Sequence, residues 1–385
     1  MLQKITLENF KSHQLTELNL DNSRLHALVG QNSSGKTSVL QALHYLCLLA
    51  ESPFKDIFKD DRSPQFITTI GAEAMSVTAS GFWVDKHQHH WQASYSFKQR
   101  SADDWFPTAS LKVDNLDKNE KIKDGTVAGW PSSFQHSADP IPLNLRHSAY
   151  LKLVANNLAK PALSEDIKPR VEYDGSGLAP TLDYLRDEAP DKFEELQKML
   201  QRIVPEVRKV GLKLAKVTVN RQRTIKVDDQ SSIPYQETQD LMGKEVVLDM
   251  NTGQRIPGHA ISEGTMLTLG LLTVLMNPDR PNLVLVDDLE QGLHPYAQRE
   301  LMNALKDIIA ANPNLQIIFS THSSYIVDEL QPSQVHILNN SQTGFTVAKR
   351  LDEHPDTEWA IESLMTGEFW DSVGEDWVVA GAVNG

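Results

Sequence analysis

Leu25-His-Ala-Leu-Val29 followed by Gly30-Gln-Asn-Ser-Ser-Gly35-Lys36-Thr37 is the stretch from which the fold is read. An apolar run of strand character enters a Gly/Ser-rich turn. From Thr37 onward Val39, Leu40, Ala42, Leu43, Leu46 and Cys47 recur at helical spacing, as in a helix packed on a sheet. The turn fits G-x-x-x-x-G-K-[ST] at every fixed position, between that strand and that helix. Phosphate chemistry requires this order. The loop Gly30, Gln31, Asn32, Ser33, Ser34 and Gly35 and the helix start Lys36, Thr37 and Ser38 turn backbone N–H groups toward phosphate oxygens. Gly35 permits close approach, Lys36 neutralises β/γ charge, and the Thr37 hydroxyl is a Mg²⁺ ligand.

Outward from the loop, Leu283-Val-Leu-Val286 is a short apolar run of the buried parallel-strand kind, ending in Asp287-Asp288-Leu-Glu290. Carboxylates at the C-terminal edge of a parallel strand sit where such sheets gather ligands. Asp287 is the predicted Mg²⁺ ligand, and Asp288 is placed to polarise an attacking water. A second buried strand, Leu315-Gln-Ile-Ile-Phe319, leads into Ser320-Thr-His322, with a helix predicted over Tyr296 to Ala311 between the two. Such a unit needs a right-handed crossover. Upstream, Ser262-Glu263-Gly264 opens an apolar helix, which reads either as an ordinary cap or as a second anion-binding device.

The rest of the chain frames these motifs. Ile5, Leu7 and Phe10 predict a first strand, and Met75 to Ala79, Trp83, Val84 and Trp91 to Tyr95 predict a small antiparallel sheet. His87-Gln-His89-His90 reads as a polar hairpin tip rather than a metal site, because no cysteine or carboxylate pair accompanies it. Residues 99 to 139 are polar and turn-rich and read as a surface excursion. Pro190 to Ile203 predicts a helix, with Pro190 and acidic residues in its first turns, one apolar stripe, and Pro205 as its stop. The predicted divisions are 1–98 and 255–350 as two halves of one head, 99–254 as an insertion, and 351–385 as a tail.

The motif order resembles that of the RecF/SMC/OLD-like group of ABC ATPases. Ile5-Thr-Leu-Glu-Asn-Phe-Lys-Ser12 is similar to the family's first strand, Ser262-Glu-Gly264-Thr to its signature, and Asp287-Asp-Leu-Glu-Gln-Gly-Leu-His-Pro295 to its Walker B and D-loop. Tyr173-Asp-Gly-Ser-Gly-Leu178-Ala and Gly367-Glu-Phe-Trp370 are similar to stretches of single-headed members found in bacterial defence loci. The resemblance implies an α/β P-loop NTPase of ABC-ATPase type: a parallel-sheet core plus an N-terminal antiparallel sheet, interrupted by an α-rich insertion. It implies ATP and Mg²⁺ as cofactors, Lys11 and Ser12 near the nucleotide, and His322 as the switch histidine. Ser262, Glu263 and Gly264 would meet the ATP of a second subunit in a homo-oligomeric sandwich. The family usually places Glu after the Walker B Asp; here Asp288 stands there, so either Asp288 still positions water or hydrolysis is slow and ATP serves mainly to hold a dimer, with Glu290 as an alternative carboxylate. Gln65 is the candidate for the Gln that completes the Mg²⁺ shell.

Composition narrows the partners. The chain has 385 residues, one cysteine, Cys47, and a net charge of −14, of which the Lys- and Arg-free segment Leu351 to Gly385 carries −9. A lone cysteine excludes a disulfide framework, and no apolar run approaches the ~18 residues of a membrane span, so a cytoplasmic protein without membrane contact is expected. Only 63 residues follow His322, too few for the Toprim nuclease of OLD proteins. The leading expectation is therefore an ATPase switch that dimerises on ATP and controls a separately encoded nuclease in phage defence. A RecF-like DNA-repair clamp, with Arg208 to Lys216 and Arg221-Gln-Arg223 as its contacts, is the alternative, ahead of a transporter subunit or an ATP-binding scaffold.

Overall fold

The computed structural model describes residues 1–84, 87–101, 104–114, 143–226 and 232–380. They form two compact units. One comprises Met1–Leu151, Pro281–Glu290 and Met302–Gly385, the other Lys152–Arg280 and Gln291–Leu301.

The first unit holds two sheets. Strands β1 (Leu2–Phe10), β2 (His13–Asn19), β3 (Leu25–Val29), β4 (Ala74–Val84), β5 (Gln88–Ser101), β6 (Asp104–Val113) and β7 (Ser148–Leu151) come from the first part of the chain, with helix α1 (Lys36–Leu48) after β3. One sheet is antiparallel, in the order β2-β1-β4-β5-β6. Its inward residues alternate along β5: Trp91, Ala93, Tyr95 and Phe97 are buried. Of the predicted polar tip, Gln88, His89 and His90 lie instead within β5, opposite Val84, Trp83 and Phe82 of β4, while residues 85 and 86 lie outside the described residues.

Strand β6 corrects part of the predicted excursion. Ala109, Leu111 and Val113 alternate inward there, and Pro107 is tolerated because β6 is an edge strand with no further neighbour to receive its missing N–H. Polar residues and Pro107 mask the period of two. Of the remainder of that excursion, residues 115–139 lie outside the described residues.

The second unit contains helices α2 (Leu178–Glu188), α3 (Pro190–Ile203) and α4 (Glu263–Met276), and strands β8 (Val207–Lys226), β9 (Ser232–Met250) and β10 (Arg255–Pro257). Helix α3 has the predicted bounds, with Phe193, Leu196, Leu200 and Ile203 buried along one stripe. β8 and β9 pair in one antiparallel ribbon from Val207↔Met250 to Lys226↔Ser232. Hydrophobic periodicity does not reveal that ribbon, because a two-stranded ribbon buries little and its sequence has no reason to alternate strictly.

The first unit's other sheet has the order β14-β13-β3-β12-β11-β7. β11 (Leu283–Val286), β12 (Gln316–Ser320) and β13 (Val335–Asn340) join β3 and β7 in parallel, while β14 (Thr346–Arg350) closes one edge antiparallel. β3, β11 and β12 are buried along their whole lengths, which explains why they are mostly apolar, with His26, Gln316 and Ser320 as buried polar exceptions. Helix α5 (Pro295–Ala311) lies between β11 and β12 in sequence. Val39, Leu40, Leu43, Leu46 and Cys47 of α1 share one buried cluster with Ile5 and Leu7 of β1, Tyr95 of β5, and Leu285 and Ile318 of the parallel sheet. Truncating a residue such as Leu40 there costs about 2–5 kcal/mol. Two short helices, α6 (Thr357–Ser363) and α7 (Thr366–Val373), follow β14, and Phe369 and Trp370 are buried. No helix among the described residues is long and apolar enough to cross a membrane.

Candidate nucleotide-binding site

The loop between β3 and α1 takes its shape from positions that tolerate little substitution. Gly30 has φ +142°, and a Cβ there would lie 2.0 Å from the Leu338 carbonyl oxygen. Gly35 has φ +97°, and its Cβ would lie 2.7 Å from both His13 Nε2 and Thr346 Oγ1. Glycine is therefore a steric requirement at both. Ser33, at φ +65°, makes a further left-handed step, and the Ser34 N–H donates to the Gln31 carbonyl at 3.2 Å. Such alternation aims successive N–H groups into one concavity, with α1 behind it.

Side chains complete the pocket. Lys36 Nζ donates to the carbonyls of Gly30 and Gln31 at 2.8 Å each. Burial lowers the Lys36 pKa, opposed by the charges of Asp288, Glu375, Asp287 and Glu290. Thr37 Oγ1 donates to both Asp287 oxygens, at 3.0 and 3.1 Å, although 250 residues separate them. Ser34 Oγ is buried without a hydrogen-bond partner. A hydroxyl beside a buried carboxylate, a lysine head and inward N–H groups is a donor set suited to a divalent cation and phosphate oxygens.

The end of β11 separates the two aspartates by role. Asp287 is buried and accepts from Ser320 Oγ at 2.7 Å, while Asp288 is exposed and its N–H donates to Ser320 Oγ at 2.8 Å. Asp288 has φ +56°, a conformation Asp tolerates better than Glu because its short side chain hydrogen-bonds locally. Glu290 Oε1 accepts from the His322 N–H at 2.7 Å, and the His322 side chain is exposed.

Lys11 and Ser12 lie at the turn between β1 and β2. Lys11 Nζ donates to Gln41 Oε1 at 2.5 Å, and burial lowers its pKa against the charge of Asp61. Ser12 Oγ is 2.8 Å from Thr346 Oγ1. Gln65 is exposed on the short helix Pro64–Ile67.

Two residues that motif reading does not single out support the loop. His13 is fully buried, with Nε2 3.1 Å from the Gly35 carbonyl oxygen and Nδ1 3.0 Å from Thr16 Oγ1; burial pushes its pKa down to about 4. A neutral ring protonated on Nε2 donates to Gly35 and accepts from Thr16. Ser320, between the two aspartates, fixes both. The signal available in the sequence is its place at the end of the strand beside theirs, which becomes informative only once β11 and β12 are paired.

In the second unit, Ser262 precedes α4 without a side-chain bond to the helix N–H groups, and its Oγ is 2.7 Å from Thr265 Oγ1. Glu263 Oε1 accepts from Gln291 Nε2 at 2.8 Å. A Cβ on Gly264 would lie 2.2 Å from the Gly292 carbonyl oxygen, so this helix start and the segment after Glu290 are in backbone contact.

Comparison with known proteins bears on this arrangement. The model of the family described as "AAA domain, putative AbiEii toxin, Type IV TA system" matches residues 25–328. The "Retron Vc95 probable ATPase" of Vibrio cholerae serotype O1 biovar El Tor is 29% identical over 107 residues, covering 24% of this chain and 20% of that protein. The DNA double-strand break repair Rad50 ATPase of Thermococcus kodakarensis is 42% identical over 60 residues, 16% of this chain and 7% of its own length. The matches thus span a fifth or less of these relatives. Two of the solved structures that share the fold are Smc heads. An Smc head bound to the C-terminal winged-helix domain of ScpA has a TM-score of 0.53 at 14% identity, over 91% of this chain and 98% of that one. An Smc head with an extended coiled coil, bound to the C-terminal domain of ScpA derived from Pyrococcus furiosus, has a TM-score of 0.52 at 13% identity, over 94% and 99%.

Proposed function

The chain belongs to the AAA-domain family whose model spans residues 25–328, and from that membership and its Smc-head fold we propose an ATP-binding, ATP-hydrolysing switch that dimerises on ATP and Mg²⁺. The observation that carries this reading is the hydrogen bonding of Thr37 to Asp287, which joins the phosphate loop to the carboxylate strand. Thr37 and Asp287 would hold Mg²⁺, which supplies neutralisation of β/γ charge. Lys36 leaves the loop carbonyls for the phosphates, and the inward N–H groups of Gln31 to Ser38 bind their oxygens. Asp288 orients and polarises the attacking water, and His322 donates to the phosphoryl group leaving ATP. Asp288 has one methylene less reach than Glu, which supports slow turnover with ATP acting mainly to hold two copies together.

In that dimer, Ser262 and Gly264 of one copy meet the nucleotide on the loop of the other. In this reading the effector is a separately encoded nuclease and the setting is phage defence, and the retron ATPase among the relatives supports the ATPase part. A DNA clamp is less well supported, because two lysines of the basic strand β8 are already paired, Lys213 with Glu245 at 2.6 Å and Lys216 with Asp240 at 2.8 Å. Sedimentation of the purified chain with and without ATP and Mg²⁺ tests the switch. The expected result is a shift from monomer to dimer that Lys36→Ala abolishes through loss of ATP binding, and that Ser262→Arg abolishes with ATP binding intact. A dimer indifferent to nucleotide in both variants refutes it.

A further inference from the structure

The acidic C-terminal segment reaches the phosphate loop. After α7, Gly374 at φ +61° turns the chain, and Glu375 begins a last helical turn, Asp376–Val379, in which Val378 is fully buried. Asn339 Nδ2 of β13 donates to the Glu375 carbonyl at 3.1 Å, and Lys349 Nζ of β14 donates to that of Trp377 at 3.3 Å. The Trp377 ring meets His354 edge-on, with centroids 4.9 Å apart. β13 is itself paired with β3, Ile337 opposite Val29, and Asn340 Nδ2 donates to the Ser33 carbonyl at 3.2 Å. Position 375 is therefore pinned to the strand beside the loop, not carried on a free tail.

That position sets the Glu375 carboxylate against Gln31: burial raises its pKa, opposed by the Gln31 side chain and backbone N–H and by the charges of Lys36 and His322. A carboxylate and a phosphate make the same demand on a loop N–H and a lysine head, and two anions sharing those donors repel each other. We propose that Glu375 is a residue of the nucleotide site, a built-in anion that competes with the terminal phosphate of ATP for Gln31 and Lys36. The C-terminal segment thereby sets the affinity of the loop for ATP, and a partner that draws residues 374–379 off β13 raises it. The inference rests on the reading of the loop as a nucleotide site.

Titration of the full chain with ATPγS in Mg²⁺ tests both, using wild type, Lys36→Ala, Glu375→Gln and Asp371→Asn. Glu375→Gln keeps the side chain's shape and removes its charge, and tightens binding by about tenfold, the scale of an ordinary coupling between two sites. Asp371→Asn removes an equal charge from an exposed position of the same segment and leaves binding unchanged. If wild type binds, Lys36→Ala does not, and Glu375→Gln binds no tighter than wild type, the competition is refuted while the nucleotide site stands. A fall in turnover at unchanged affinity also refutes it, because the carboxylate then serves the reaction instead. If Lys36→Ala binds as wild type does, or no variant binds, the nucleotide reading itself fails and the inference with it.

Discussion

His13 shows how one side chain ties the loop to pH. Its ring lies against Gly35, where burial disfavours an imidazolium and the charge of Lys11 adds to that, and its pKa is lowered from 6.5 to about 4. His44 is lowered to about 4 for the same reason, and burial also lowers His26 and, further, His336. Between pH 6.5 and 4 the unfolded chain binds protons that the folded chain refuses, so stability is complete above pH 6.5 and is lost as pH falls. His13 alone accounts for about 3 kcal/mol over that window. Urea denaturation at pH 7.5 and 5 should show the loss, and His13→Gln should flatten it; equal pH dependence in the two proteins would sink the assignment. The phosphate-loop residues Gly30 to Thr37 are legible without any structure because backbone shape dictates them. His13, Ser320 and Glu375 are not, because each acts on a residue distant in sequence, and a single His, Ser or Glu carries no mark of that partner.

Helix α4 illustrates what an element tells of itself. Twelve of its fourteen residues are buried, so it is apolar on nearly every side and no stripe betrays which face meets what. Its start is fixed instead by Gly264 against Gly292, whose φ of +69° turns the chain there. Gly264→Ala places a methyl against a backbone oxygen that has no flexible end to yield, and should destabilise the protein by about 1–3 kcal/mol. The denaturant midpoint measures this, and a midpoint at the wild-type value would mean that the two segments separate freely. Helix α3 lies at the opposite extreme, with proline, acids and one apolar stripe giving its bounds before any coordinate is known. The β8–β9 ribbon lies between them, since an element with little buried face leaves little pattern in its residues.

At the scale of the molecule, the parallel sheet joins distant parts of the chain. β3 is flanked by β12 and β13, nearly 300 residues later, so the phosphate loop has a floor only when both ends of the chain have met. The antiparallel sheet shares the same buried cluster, and α1 lies within it. This dependence explains why motif order along the sequence is so informative: the parts are distant in sequence but adjacent in the sheet.

Cys47 lies in that shared cluster, and burial pushes its thiol up to about 12. A thiol held protonated and shielded from solvent is a poor target for maleimides and disulfide reagents. The native chain should therefore consume no thiol reagent on the timescale of labelling and one equivalent when unfolded in urea, whereas rapid modification in buffer would show that the α1 core opens readily. It follows that a dye or spin label can be attached at any introduced surface cysteine without first removing the natural one, and that the natural one reports, label by label, how often the whole head comes apart.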